Sequence, residues 1–143
     1  MKTLQQTFDT AVEHLAAQKR RSRNDYSCKY RSEDGLKCAI GTLIPDSLYD
    51  PILEGYTVEN IWEGLSYDAV ERPQTLQIKK KLVNYFNVTI DPQKHKLQYF
   101  LLQLQHAHDL SDNAGDLYFA LAQIASAYDL NTDKINSITE WSK

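Results

Sequence analysis

Hydrophobic residues recur every three or four positions along most of the chain, a spacing typical of helices with one buried face. The first such stretch, residues 3–19, contains Leu4, Phe8, Val12 and Leu15. Equivalent stretches predict further helices over residues 38–44, 58–65, 74–86, 91–110, 112–130 and 131–141. We therefore predict a mainly α protein, a compact bundle of six or seven helices that forms a single domain over the whole 143-residue chain.

One stretch departs from this helical pattern. In residues 26–36 the side chains alternate in character, and Asp34-Gly35 is a strong turn signal because glycine adopts positive φ without steric cost. The sequence therefore predicts one small β-hairpin here, followed by a short helix that Pro45 ends. Gly41 within that helix predicts a place where another part of the chain approaches the backbone closely.

Composition and charge narrow the class of protein. With 42% hydrophobic residues and no apolar run of membrane length, the chain is typical of a globular protein and predicts no membrane partner. The first residues lack the apolar core of a signal peptide, and two cysteines in such a chain predict reduced thiols and a cytoplasmic location. The net charge of −3 disfavours general nucleic-acid binding. Charge is nevertheless segregated, since residues 41–71 contain seven acidic and no basic residues, whereas residues 1–40 contain eight basic ones.

Two segments are therefore candidates for binding a partner. The acidic segment 45–71 also carries aromatic residues, which anchor protein interfaces, and its candidate residues are Tyr49, Glu59, Trp62, Glu63, Tyr67 and Asp68. The basic segment 19–31 is a candidate site for phosphate, a nucleotide or an acidic partner, through Arg20, Arg21, Arg23, Lys29 and Arg31. The alternatives are an ordinary solvated surface for the charges and a place in the core for the aromatic rings.

Cys38 and His108 are weak candidates for catalysis. A cysteine at the start of a helix has a lowered pKa and could form a nucleophilic pair with His108, which Asp109 would orient. The alternative is that Cys38 packs in the core and that His108 and Asp109 cap a helix end. We predict no metal and no cofactor, because His106 and His108 face nearly opposite sides of a helix and no phosphate-binding loop or hydrolase motif occurs.

Two further pairings remain open. Glu54 and Asp46 could act together as catalytic carboxylates, although the sequence does not set their separation. A disulfide between Cys28 and Cys38 is disfavoured, because the register of a two-residue hairpin turn does not place them opposite each other.

Two motifs in the sequence are distinctive. Residues 28–31 and 34–46, the latter ending in Cys-Ala-Ile-Gly-Thr-Leu-Ile-Pro-Asp, are followed by Leu-Glu-Gly at 53–55, and residues 104–109 read Leu-Gln-His-Ala-His-Asp. These resemble the Cys-Ala-(Ile/Val)-Gly-x-Leu-Ile-Pro-(Asp/Glu) core and the later Leu-Gln-x-x-His-Asp motif of small uncharacterised phage and prophage proteins. The resemblance implies a protein of the host-cell cytoplasm. Small proteins of this origin often bind a host factor, including components of defence systems.

The favoured hypothesis is a non-enzymatic phage-type protein that binds a host protein and inhibits or modulates it. One alternative is a protein that sequesters a nucleotide or phosphate ligand. Another is a Cys-His hydrolase that uses Cys38 and His108. A homodimer is also compatible with the sequence, which does not identify the partner.

Overall fold

The computed structural model describes residues 1–63 and 72–143. These residues contain two short 3₁₀ helices, Pro51–Leu53 and Asp133–Ser137, and six α-helices: α1 Leu4–Gln18, α2 Ala39–Leu43, α3 Val58–Glu63, α4 Pro73–Thr89, α5 Leu97–Leu110 and α6 Ala114–Ala127. The predicted mainly helical class is confirmed. Within the two described ranges, every helix is too short or too polar to cross a bilayer.

Short polar side chains set where several helices begin. Thr3 forms a capping box at the start of α1, the Thr57 hydroxyl accepts a backbone N–H at the start of α3, and Asn113 does the same for α6. The helix predicted from residue 91 begins later, at Leu97. The reason is local, because Asp91 accepts the backbone N–H two residues ahead in a turn rather than at a helix start.

Helices α1 and α5 supply much of the core. Helix α5 packs against α2, α3 and α6, while α1 packs against α2 and the C-terminal 3₁₀ helix. Phe8 and Leu15 of α1 and Phe100 and Leu104 of α5 are fully buried. The short helix α2 therefore contacts both long helices, and the connections before and after it run beside the C-terminal end of α5, which His108 occupies.

The β-hairpin predicted over residues 26–36 is not formed. The described part of the chain contains no sheet, and this region forms only isolated bridges, such as the antiparallel one between Arg31 and Lys37. The predicted turn is present, since Gly35 has φ of 84° and its N–H donates to the Ser32 carbonyl. Two continuous strands do not flank this turn.

The backbone donors explain why no ladder forms. The Cys38 N–H donates to the Tyr30 carbonyl, but the Tyr30 N–H donates to the Glu54 carboxylate instead of returning a bond to Cys38. Likewise the Ser32 N–H donates to the Leu36 carbonyl, whereas the Leu36 N–H donates to the Ser32 hydroxyl. Each pair thus makes one of the two bonds that a hydrogen-bonded strand pair exchanges.

Gly41 confirms the predicted close approach. A Cβ atom on this residue would lie 1.9 Å from the Tyr30 carbonyl oxygen, a distance that no side chain can adopt. The turn segment therefore lies directly on the backbone of α2. Only glycine fits at this position of the helix.

Candidate functional site

His108 is the most constrained polar side chain near the C-terminal end of α5. It is fully buried, its Nε2 accepts the Ser22 N–H at 2.9 Å, and its Nδ1 lies 2.6 Å from Asp109 Oδ1. A backbone N–H can only donate, so Nε2 must carry the lone pair and Nδ1 the proton. The imidazole is therefore neutral, and both ring nitrogens are already engaged.

The electrostatics of His108 agree with this tautomer. Burial lowers the pKa of the imidazole, and the Asp109 carboxylate opposes that shift without reversing it. The Trp141 ring packs against the imidazole with its centroid 5.6 Å away, which adds to the enclosure. His108 therefore works as a hydrogen-bonding clamp between α5 and the segment after α1.

Arg21 provides a second tie at the same helix end. Its guanidinium is almost fully buried, donates to the Ser111 carbonyl and lies 3.3 Å from Asp112 Oδ1. The Trp141 indole N–H donates to the same Ser111 carbonyl at 3.1 Å. These contacts satisfy a backbone acceptor just beyond the last turn of α5. Arg21, predicted as part of a binding site for anions, thus lies inside the fold.

Cys38 occupies the N-cap position of α2. Its Sγ accepts the Gly41 N–H at 3.2 Å and its side chain is 2% exposed. Burial raises the pKa of this thiol far above its ordinary value, which outweighs the hydrogen bond from the helix N-terminus. Because the nitrogens of His108 bond Ser22 and Asp109, the structure does not join Cys38 to His108 as a nucleophile and its base.

Cys28, rather than Cys38, lies beside the histidine. One ligand-type atom each from Cys28, His108 and Asp109 lie within 4.8 Å of one another. A metal would need a lone pair on one ring nitrogen, yet one nitrogen carries the proton and the other accepts the Ser22 N–H. Burial, with the nearby Asp109 carboxylate as the next cause, raises the pKa of the Cys28 thiol to about 11. The trio is therefore a protonated thiol beside an occupied His–Asp pair.

Glu54 holds the loops on either side of α2 together. Its Oε1 accepts the Tyr30 N–H at 2.9 Å, and its Oε2 accepts the Arg31 N–H at 3.1 Å and the Tyr49 hydroxyl at 2.8 Å. Burial, with the Glu54 carboxylate as the next cause, raises the pKa of the Tyr49 hydroxyl to about 12. Asp46 instead contacts Arg31 Nη1 at 2.8 Å, so the two carboxylates bind different groups of Arg31, Asp46 its guanidinium and Glu54 its backbone N–H.

The predicted basic cluster is divided by the fold. Arg20 pairs with Asp34 at 2.9 Å, and Arg31 donates to the Ile44 carbonyl and stacks over the Tyr49 ring at 4.5 Å. Arg21 is buried and Arg31 is largely enclosed, whereas Arg20 stays half-exposed and forms a surface ion pair with Asp34. The aromatic candidate Tyr49 is also occupied by this stacking and by its bond to Glu54.

Arg23 and Lys29 are the two predicted cations that have no carboxylate partner among the described residues. Both line an open cleft of about 660 Å³ between residues 23–34 and 49–54. Within the part of the chain that the structure describes, neither side chain forms an ion pair, and Arg23 donates only to the carbonyl of the next residue. The cleft also contains the carboxylates of Asp25 and Glu33, so its charge is mixed rather than strongly positive.

The acidic candidates lie on α3. Glu59 and Glu63 are exposed and stand one helical turn apart, while Trp62 is half-buried and stacks on Phe86 with centroids 6.0 Å apart. Desolvation raises the pKa of Glu63, and the Glu59 carboxylate raises it further through repulsion and a hydrogen bond. The predicted contact residues Tyr67 and Asp68 lie outside the described residues.

Two features escaped the sequence analysis. Lys79, in a run of lysines typical of a solvated face, is 1% exposed and places its Nζ 3.8 Å from the centre of the Tyr56 ring. Lys79 precedes the buried Leu82 and Val83 by three and four residues, a helical spacing that predicts an inward-facing side chain. The second feature is an apolar outer face on α5 and α6, where Leu110 and Phe119 are 74% and 63% exposed.

The arrangement holds polar groups in place rather than assembling a reactive centre. The thiols are protonated, both nitrogens of His108 are bonded, and Glu54 accepts three hydrogen bonds. No protein-family model, curated protein or solved structure matches the chain.

Proposed function

We propose that this chain is a non-enzymatic binding protein whose α3 surface docks on a positively charged site of another protein. The resemblance to phage and prophage proteins suggests that the partner is a host protein, such as a defence-system component, which binding inhibits or modulates. The observation that carries the proposal is the exposed pair Glu59 and Glu63, which lie beside the half-buried Trp62.

The acidic pair is costly for an isolated helix. Like charges four residues apart destabilise a helix, and the raised pKa of Glu63 reflects desolvation and this repulsion. No cation in the described ranges forms an ion pair with either carboxylate. A lysine or arginine of a partner would relieve the repulsion, and the adjacent indole would add apolar contact.

A binding function also needs less rearrangement than catalysis. A hydrolase that used Cys38 and His108 would have to expose a buried thiol and break both hydrogen bonds of the imidazole. Binding at α3 uses carboxylates that are already exposed.

The test is affinity capture from a bacterial lysate, with the recovered proteins identified by mass spectrometry. The variant carries Glu59→Lys and Glu63→Lys, because charge reversal of exposed side chains leaves the Trp62–Phe86 contact intact. The matched control carries Glu33→Lys and Glu140→Lys, two exposed acidic residues away from α3. It changes the net charge by the same amount.

We expect wild type and control to recover the same protein and the α3 variant to lose it. Recovery should also weaken as salt is raised, because an exposed charge contact is screened. Equal recovery by the α3 variant, or no specific protein with wild type, would overturn the proposal.

A second candidate is the binding of a nucleotide or phosphate ligand in the cleft of Arg23 and Lys29. The observation in its favour is that these two cations have no ion-pair partner among the described residues. Thermal unfolding against a nucleotide panel tests it, since a ligand at 100 times its Kd stabilises by about 2.7 kcal/mol. The stabilisation should disappear when both residues are changed to alanine. An unchanged melting temperature with every nucleotide would exclude this candidate.

A further inference from the structure

Trp141 fixes residues 138–143, here called the 138–143 segment, against the end of α5. It is 7% exposed, packs edge-on against the His108 imidazole and donates its indole N–H to the Ser111 carbonyl. Two backbone hydrogen bonds, of 2.9 and 3.2 Å, also join this segment to residues 19–21. The 138–143 segment and residues 19–21 are therefore bonded to each other, and both lie at the C-terminal end of α5.

His108 connects these two parts to α5 through a hydrogen bond that only a neutral imidazole forms. The Ser22 N–H is a donor, so Nε2 must present its lone pair, and Asp109 Oδ1 keeps the one ring proton on Nδ1. A proton added to Nε2 makes that nitrogen a second donor, which then faces the Ser22 N–H. Ser22 and His108 are both fully buried, so water replaces the lost bond only if the two parts separate.

The groups around the imidazole determine which state accepts the proton. Burial lowers the pKa of His108 most strongly, and the Asp109 carboxylate, 2.6 Å from Nδ1, opposes this shift. The Arg21 guanidinium and His14 of α1 lower the pKa further, while Cys28 beside the ring is a neutral thiol. The closed contact therefore excludes an imidazolium. An open contact, in which water reaches the ring, accepts it beside Asp109.

The other ties of the 138–143 segment are weak or carry a cost. Its two charged side chains form exposed ion pairs, Glu140 with Lys19 and Lys143 with Asp112. Such exposed pairs contribute little to stability. Arg21 Nε is buried and has no hydrogen-bond partner among the described residues, which offsets part of what the other bonds of this guanidinium contribute. The hydrogen bond from Ser22 to His108 is therefore an important part of what keeps the contact closed.

We propose that protonation of His108 opens this contact locally, so that the 138–143 segment and residues 19–22 separate together from the end of α5 while the helices stay folded. The proton comes from solvent, and Asp109 balances the new charge. Because the open state takes up one proton, its population rises as the pH falls below about 6.5, by at most about tenfold per pH unit. Opening exposes Trp141, a side chain of the kind that anchors protein contacts. This inference does not rest on the α3 surface.

The fluorescence of Trp141 tests the proposal. The chain contains two tryptophans, and Trp62→Phe removes the other one while keeping an aromatic ring against Phe86. In this background, as the pH falls from about 7.5 to 4.5, we expect the Trp141 emission to shift to longer wavelength and acrylamide quenching to increase. Both changes should occur at a pH where far-UV circular dichroism still shows the full helix content. His108→Gln does not titrate, so its emission should stay constant, whereas the exposed His106→Gln should keep the transition.

Amide hydrogen exchange of the unsubstituted chain is a second measurement that needs no variant. Corrected for the intrinsic exchange rate, the protection of the Ser22 and Ser142 amides should fall together as the pH is lowered, while amides in the middle of α1 stay protected. Three results would overturn the proposal: a Trp141 emission that changes only when the helices unfold, the same transition in His108→Gln, or protection of Ser22 and Ser142 that does not depend on pH.

Discussion

The loop region, defined as residues 20–38 and 44–57, differs from the outer helix faces in how it uses its polar groups. Glu54 within the loop region and His108 from α5 accept backbone N–H groups of this region, and Arg21 within it donates to a backbone carbonyl. On the outer helix faces Glu59, Glu63 and Phe119 are exposed to solvent. The residues that resemble a catalytic set therefore support the fold, and residues of α3 without any catalytic signature form the surface that we propose for binding.

Backbone hydrogen bonding explains the difference. A helix satisfies its own backbone N–H and carbonyl groups, whereas a buried loop leaves them without partners unless side chains supply them. The N–H groups of Ser22, Tyr30 and Arg31 are satisfied in this way by an imidazole and a carboxylate. Backbone groups within a helix need no side-chain partners, so the side chains on the outer helix faces can contact another molecule.

The largest effect is expected where the loop region touches α2. Gly41→Ala would place a methyl group 1.9 Å from the backbone oxygen of Tyr30, and neither main chain can move without breaking its own bonds. We expect a loss of more than about 4 kcal/mol in the free energy of unfolding, which leaves little folded protein. Chemical denaturation or thermal melting measures it.

The matched control is Gly115→Ala in the first turn of α6, where the new Cβ would lie 3.2 Å from the capping Oδ1 of Asn113, a contact that a small shift relieves. There the gain in helix propensity offsets the tight contact, and the change should stay within about 1 kcal/mol. Equal losses for the two variants would show that Gly41 is not a special contact.

A smaller loss is expected from Glu54→Ala. This substitution leaves two backbone N–H groups and the Tyr49 hydroxyl without their acceptor, so stability should fall by about 3 kcal/mol. Equilibrium denaturation in urea gives the value. Glu33→Ala is the control, because this carboxylate is exposed in the same loop region, and we expect a change of about 0.5 kcal/mol or less. A loss for Glu54→Ala as small as that of the control would contradict the role assigned to Glu54.

The smallest effect, and the most diagnostic, is the pH dependence that His108 confers. Burial lowers the pKa of this imidazole in the folded state, so the unfolded chain takes up the proton first as the pH falls. The stability that neutral His108 contributes is complete above about pH 6.5 and is lost as the pH falls towards the folded-state pKa. The slope from this one group is at most about 1.4 kcal/mol per pH unit.

His108→Gln keeps an acceptor for the Ser22 N–H but does not titrate. We expect a loss of about 1 kcal/mol at pH 7.5, from the missing bond to Asp109, and a shallower fall in stability between pH 6.5 and 5. His106→Gln, two residues away and exposed, should retain the wild-type slope. An unchanged slope in His108→Gln would mean that this histidine is not the titrating clamp.

Much of the fold was predictable from the sequence. The apolar stripes predicted the long helices, and Gly41 predicted the close backbone contact that the structure contains. The hairpin was not predictable, because alternation and an Asp-Gly turn do not disclose that Glu54 takes the N–H groups a second strand would need. The candidate site was predicted only as a set of residue types, since Cys28 rather than Cys38 lies beside His108.

The sequence by itself determined the helical class and the caps at Thr3 and Asn113, because each depends on local geometry and spacing. Position 41 must be glycine because of a tertiary contact, since a Cβ atom there would strike the Tyr30 carbonyl oxygen. Only the tertiary structure decided which polar groups are bonded within the fold. Hydrogen bonds such as Ser22 to His108 join residues 86 positions apart, and burial depends on contacts from every direction. For that reason the same histidine that reads as a catalytic base in the sequence is a neutral clamp in the folded chain.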